Sequence, residues 1–175
     1  RVSAATGTGP RRGDILLNLS AIGAIKDPAG NALAATFGGP AVEGTHEDYL
    51  VDTEPPTVQI VRAGPAMTNS TSSAVWTATF SEPVNGAADV ARYAIVETLA
   101  GTPTIATVTN PSNDRQTFRI EVTFTNPSNT GSGVIRLNLT ASGAAAITDD
   151  AGNAVTGAVT GEQYTVDRHA PSTSA

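Results

Sequence analysis

The chain has no cysteine among its 175 residues, which removes disulfides, thiolate-ligated zinc and a thiol nucleophile from its chemistry. This absence leaves an extracellular setting open. Lysine is almost missing as well: Lys26 is the only one, and it sits beside the turn-like "DPAGN", so a lysine isopeptide crosslink is not expected. Charge is sparse, at 15% of residues, and ten basic against sixteen acidic side chains give a formal charge of −6. That sign is wrong for binding a phosphate backbone, so nucleic acid is not an expected partner. No apolar run approaches the roughly 18 residues needed to span a bilayer, and membrane insertion is not expected. Residue 1 is Arg with no leader-like segment after it, and the chain reads as an internal piece of something longer.

The groups that catalysis requires are scarce too. His46 and His169 both stand at the ends of repeated segments, and neither is accompanied by a Ser nucleophile in a strained strand-to-helix elbow. Asp149 and Asp150 are adjacent, so their side chains should point apart rather than flank a glycosidic bond. There is no glycine-rich loop of the kind that cradles phosphate. An enzyme is not expected.

What is abundant is threonine (25 residues), glycine (17) and proline (11) beside 39% apolar residues, a composition that favours strands joined by turns over helices. The sequence also repeats itself. "GDILLNLS" (13–20) aligns with "GVIRLNLT" (133–140), "DPAGN" (27–31) with "DDAGN" (149–153), and Tyr49 with Tyr164, each copy ending in Val-Asp. Offsets between matched segments drift, as they do when repeats of one fold differ in loop length. Residues 1–52 are therefore expected to be the C-terminal half of one repeat, 53–168 a complete second repeat, and 169–175 the linker to a following one.

Within 53–168 the apolar period is two. "TFRIEVTFT" (117–125) alternates Phe118, Ile120, Val122 and Phe124 against Thr117, Arg119, Glu121 and Thr123. "SSAVWTATF" (72–80) and "VIRLNLT" (134–140) alternate in the same way. Adding 57–61, 92–98, 104–110 and 162–167 yields seven strands, the count and spacing of an all-β Greek-key sandwich of immunoglobulin type. The order "FSEPVNG" after the second strand, "ITDDAGNAV" after the sixth and "YTVDRHAP" at the exit resembles the bacterial immunoglobulin-like (Big-type) repeats of large adhesins and surface proteins. The resemblance covers 53–171 and recurs in 13–56. It implies a tandem extracellular module serving as spacer or stalk, at times stiffened by calcium, with neighbouring modules as partners.

If alternate strands run antiparallel, the linker 51–56 and the loops at 80–86, 110–114 and 148–153 collect at one pole. Asp52, Glu54, Glu82, Asp114, Asp149, Asp150 and Asn153 would then crowd one end. Oxygen donors from several loops suit Ca2+, which takes six to eight of them in flexible geometry. Equally, Asp and Asn fill turns because their side chains bond nearby backbone, and Gly supplies a positive φ. Both readings are open at this point. In the first copy Pro28 replaces the second acid after Asp27, which argues against a metal there.

Arg12, Gly13 and Asp14 form an Arg-Gly-Asp triplet expected at a turn, a candidate adhesive site with no equivalent in the second copy. Acceptor sequons stand at Asn18, Asn69 and Asn138, the first and last on matching strands. Trp76 and Phe80 share a face with alanines and are expected in the core rather than on a sugar-stacking surface. Four functional readings follow: a structural spacer, first; a protomer of a strand-complemented filament, or a carbohydrate- or receptor-binding module, as alternatives; and an accessory domain of a secreted hydrolase.

Overall fold

A computed structural model describes residues 12–15, 26–32, 49–69, 72–99, 101–124, 132–169 and 171–172. Asn18, His46 and the second half of the expected strand 13–20 lie outside them. The chain divides into two compact units, Arg1–Glu54 and Pro55–Ala175. Among the described residues of the first unit, β1 (Arg12–Ile15) pairs antiparallel with β2 (Tyr49–Asp52). Between them the "DPAGN" turn is closed by a bridge from Lys26 to Ala32.

The second unit is a sandwich of two four-stranded sheets. Its strands are β3 (Val58–Arg62), β4 (Met67–Thr68), β5 (Ser73–Phe80), β6 (Tyr93–Glu97), β7 (Pro103–Thr109), β8 (Thr117–Phe124), β9 (Gly133–Leu139) and β10 (Val159–Val166). One sheet runs β3-β5-β8-β7 and the other β4-β10-β9-β6. All pairs are antiparallel except β4 with β10. The sequence expectation lacked β4, a two-residue stretch that crosses from β3 to the other sheet after Gly64 and Pro65. A five-residue helix, α1 (Ala141–Ala145), follows β9, with Thr140 Oγ1 accepting the Gly143 N–H at its start.

Period-two patterning decides what is buried. Ala74, Trp76, Ala78 and Phe80 of β5, Phe118, Ile120 and Val122 of β8, and Ile135, Leu137 and Leu139 of β9 all lie in one core. Trp76 is fully enclosed; its Nε1 donates to the Glu162 carbonyl at 2.8 Å, and its ring meets Tyr164 edge-on with centroids 5.0 Å apart. Tyr164 in turn donates its hydroxyl to the Val75 carbonyl at 2.7 Å, tying β10 to β5 across the sandwich. Burial of a tryptophan with its N–H satisfied is worth about 3 kcal/mol or more.

The two units share a ladder register. In the first unit Ile15 stands opposite Tyr49, Asp14 opposite Leu50 and Gly13 opposite Val51. In the second, Ile135 stands opposite Tyr164, Val134 opposite Thr165 and Gly133 opposite Val166. Residues aligned by sequence thus occupy the same ladder positions, although the connection between the two strands differs in length.

Candidate functional site

Each acidic loop begins as a local turn. In the first unit Asp27 Oδ1 accepts the N–H groups of Ala29 and Asn31, each at 2.9 Å, and Oδ2 accepts Asn31 Nδ2 at 2.9 Å. In the second unit Asp149 Oδ1 accepts the Asn153 N–H and Oδ2 accepts Asn153 Nδ2, both at 2.8 Å. A bridge between Thr148 and Ala154 closes this turn as Lys26 and Ala32 close the other. Gly30 and Gly152, at φ +89° and +94°, occupy the left-handed region that the turn demands.

From that shared start the second unit builds further. Its loops 81–86, 110–116 and 148–153 meet, and the residue that joins them is Arg115. The guanidinium donates from Nη1 to Asp150 Oδ1 at 2.8 Å and from Nη2 to Asp150 Oδ2 at 2.6 Å, a two-pronged ion pair. Nη1 also reaches Asn85 Oδ1 at 3.1 Å, while Asn85 Nδ2 donates to Asp150 Oδ1 at 3.1 Å. The backbone completes the clasp: Val84 N–H donates to the Arg115 carbonyl at 2.9 Å and Asn85 N–H to the Thr148 carbonyl at 2.7 Å. Arg115 sits at φ +57° and its neighbour Asn113 at +54°, a left-handed conformation that costs a residue bearing Cβ and persists only where surrounding contacts hold it.

Electrostatics follow the geometry. Hydrogen bonds from Arg115 and then Asn85 hold the Asp150 carboxyl down at about 2. Asp114 is lowered chiefly by the backbone N–H groups of Thr117 and Gln116, both bonded to its Oδ1. Burial pushes Asp149 upward, but the bonds from Asn153, Gly152 and Ala151 outweigh it and leave its carboxyl below the ordinary value. Asp149 is 3% exposed, the buried polar side chain of the described core.

Five of the expected acidic-pole residues therefore gather in the second unit: Glu82, Asp114, Asp149, Asp150 and Asn153. As metal donors they are unequal. Glu82 and Asp149 bring carboxylate oxygens within 4.8 Å of each other, a spacing that a single Ca2+ could bridge. Asp150 already faces a cation in Arg115, and Asp114 Oδ1 faces three donors of its own loop, counting Asn110 Nδ2 at 3.1 Å. Asp52 and Glu54 belong to the first unit, where Asp52 Oδ1 accepts the Glu54 N–H at 3.0 Å. Sequence reasoning missed Arg115, yet a signal existed, since it is the only basic residue in the three loops.

The turn expected at the Arg-Gly-Asp triplet needs correcting. Arg12, Gly13 and Asp14 are not in a turn but in β1, where the ladder with β2 holds their backbone extended. A second missed constellation lies at the exit of the second unit. Ser132 Oγ stands 2.8 Å from Asp167 Oδ1 and 2.8 Å from His169 Nδ1, and Asp167 Oδ1 also accepts the His169 N–H at 3.0 Å. The residue types are those of a hydrolytic triad, but the arrangement is not. The single hydroxyl proton goes to the Asp167 carboxylate, so the Ser132 oxygen must accept from Nδ1–H, the reverse of a nucleophile activated by a histidine base. This cluster fastens the exit turn, repeating the bond from Asp52 to Glu54.

No family model and no curated protein matches the chain. A solved structure similar to it is chitinase ChiW from Paenibacillus sp. str. FPU-7, described as a bacterial cell-surface-expressed multi-modular enzyme, with 16% identity and a TM-score of 0.36 over 72% of this chain. The match spans 13% of that much longer protein.

Proposed function

We propose that the chain is a non-catalytic extracellular segment of a tandem immunoglobulin-like fibre or adhesin stalk, whose work is to supply length and stiffness. In this reading the second unit is a Greek-key immunoglobulin-like module and the first is the C-terminal half of another. The strand orders support it: with β4 as the detached tip of the first strand, one sheet takes strands one, two, five and four and the other takes three, six and seven, the constant-type arrangement. The observation that carries the proposal is the recurrence, in both units, of one ladder register, one acidic turn and one exit turn. A fold reused with its exit intact serves serial connection. The short linker "TEPPT" restricts φ at two successive prolines and so limits hinge angles.

A spacer expects the full chain neither to deplete nor to cleave soluble and insoluble polysaccharides and surface glycans. Saturable binding would make it a binding module, and release of sugar would make it part of a hydrolase. Calcium stiffening rests on the proximity of Glu82 and Asp149, whose carboxylate oxygens lie within 4.8 Å of each other. Thermal unfolding in millimolar Ca2+ and then in chelator tests it, because a ligand bound only by the folded state raises the midpoint. An unchanged midpoint removes calcium and leaves stiffness to the proline linker.

A further inference from the structure

The sequence contains a single Asn-Gly step, Asn85–Gly86, and the fold places it inside the Arg115 clasp. Glycine leaves the following peptide nitrogen unshielded, which opens a general route of self-modification. The Gly nitrogen bonds to the Asn Cγ, the Cγ–Nδ2 bond breaks, and ammonia leaves carrying the amide proton, producing a cyclic succinimide. Water then opens the ring at either carbonyl and leaves Asp or a β-linked isoaspartate. Gly86 cannot readily be exchanged for a less labile neighbour: its φ is +84°, and a Cβ there would stand 2.7 Å from the Ala146 carbonyl oxygen. The fold thus requires the residue that makes the step reactive.

Ring closure needs the Asn85 amide to swing onto the Gly86 nitrogen, and the structure holds that amide at both ends. Nδ2 is bonded to Asp150 and Oδ1 to Arg115, each at 3.1 Å. The backbone is pinned as well, by the exchange of N–H and carbonyl with Thr148 at 2.7 and 3.2 Å. We propose that Asn85 is a spontaneous modification site gated by the Arg115–Asp150 clasp, so that opening of the loop end is converted into a permanent chemical mark. The Asp product sets a second carboxylate beside Asp150 with one guanidinium to share. The isoaspartate product lengthens the backbone by one carbon at the bridge to Thr148 and breaks its register.

The test follows deamidation by peptide mapping of the full chain at mildly alkaline pH, natively and in urea, with exposed Asn69 as an internal control. Reaction through a sparsely populated open state makes the native rate at Asn85 at least about tenfold slower than the rate in urea. Arg115→Ala should raise the native rate toward the urea value while leaving Asn69 unchanged and the near-ultraviolet dichroism of Trp76 intact. Equal rates in native buffer and urea, or an unaltered rate in folded Arg115→Ala, overturn the proposal. Should Arg115→Ala unfold, Asp150→Asn takes its place with the same two outcomes.

Discussion

The turns at Asp27–Asn31 and Asp149–Asn153 are one local structure in two settings. Both carboxylates accept the N–H and the side-chain amide of an Asn four residues on, and both turns carry Gly at positive φ. Yet Asp27 is exposed, whereas Asp149 is 3% exposed. Where the first copy continues with Pro28, the second continues with Asp150 and is clasped by Arg115 and Asn85. Five residues suffice to write the turn. Tethering it to other loops takes residues about 35 and 65 positions away, a span at which loop closure costs conformational entropy that only tertiary packing can offset.

Removing each carboxylate in turn breaks this comparison most strongly. Asp149→Ala removes a buried carboxylate and strips the acceptor from the half-buried Asn153 donors, and should destabilise the second unit by about 1–3 kcal/mol in urea unfolding. Asp27→Ala, where water can replace the lost bonds, should leave global unfolding unchanged and speed only amide exchange at Ala29 and Asn31. Equal effects would mean that burial does not distinguish the two turns.

Replacing the glycines sharpens the likeness instead. A Cβ added at Gly30 or Gly152 meets nothing within 4 Å, so the cost of either Ala is backbone strain alone, about 1–2 kcal/mol at each turn. Native-state amide exchange at Asn31 and Asn153 should report the same loss at both. A larger loss at Gly152 would show that the clasp transmits strain from its neighbours.

Acid should act last and most gradually. Asp27, Asp114, Asp149, Asp150 and Asp167 are all lowered from the ordinary 3.8. A carboxyl lowered by folding adds stability that is complete above its unfolded value and lost as pH falls through its folded value. The melting midpoint should therefore hold steady down to about pH 4 and then decline toward about pH 2, where Asp150 protonates. In Asp150→Asn the final part of that decline should vanish.

Much of this could be read along the chain. Alternation located β5, β8 and β9 and the core residues they carry, because burial on one face of a strand writes a period of two directly into sequence. The spacing of Asp, Gly and Asn gave the turn, whose bonds span at most four residues. β4 escaped notice because two residues carry no periodicity, and its place is fixed by β10, to which Ala66 accepts the Thr165 N–H at 2.7 Å. Ser132, Asp167 and His169 escaped because 35 residues separate the serine from the aspartate it bonds.

The sequence by itself determined that β5, β8 and β9 are extended, which side of each is apolar and where the Asp-Gly-Asn turns fall, since these follow from steric and solvation preferences of neighbouring residues. Only the tertiary structure decided that Arg115 would neutralise Asp150, that Asp149 would be buried, and that the Arg-Gly-Asp triplet would lie in a ladder. Those outcomes depend on which loops and strands meet, and a charge or carboxylate carries no mark of its partner until the core has brought the two together.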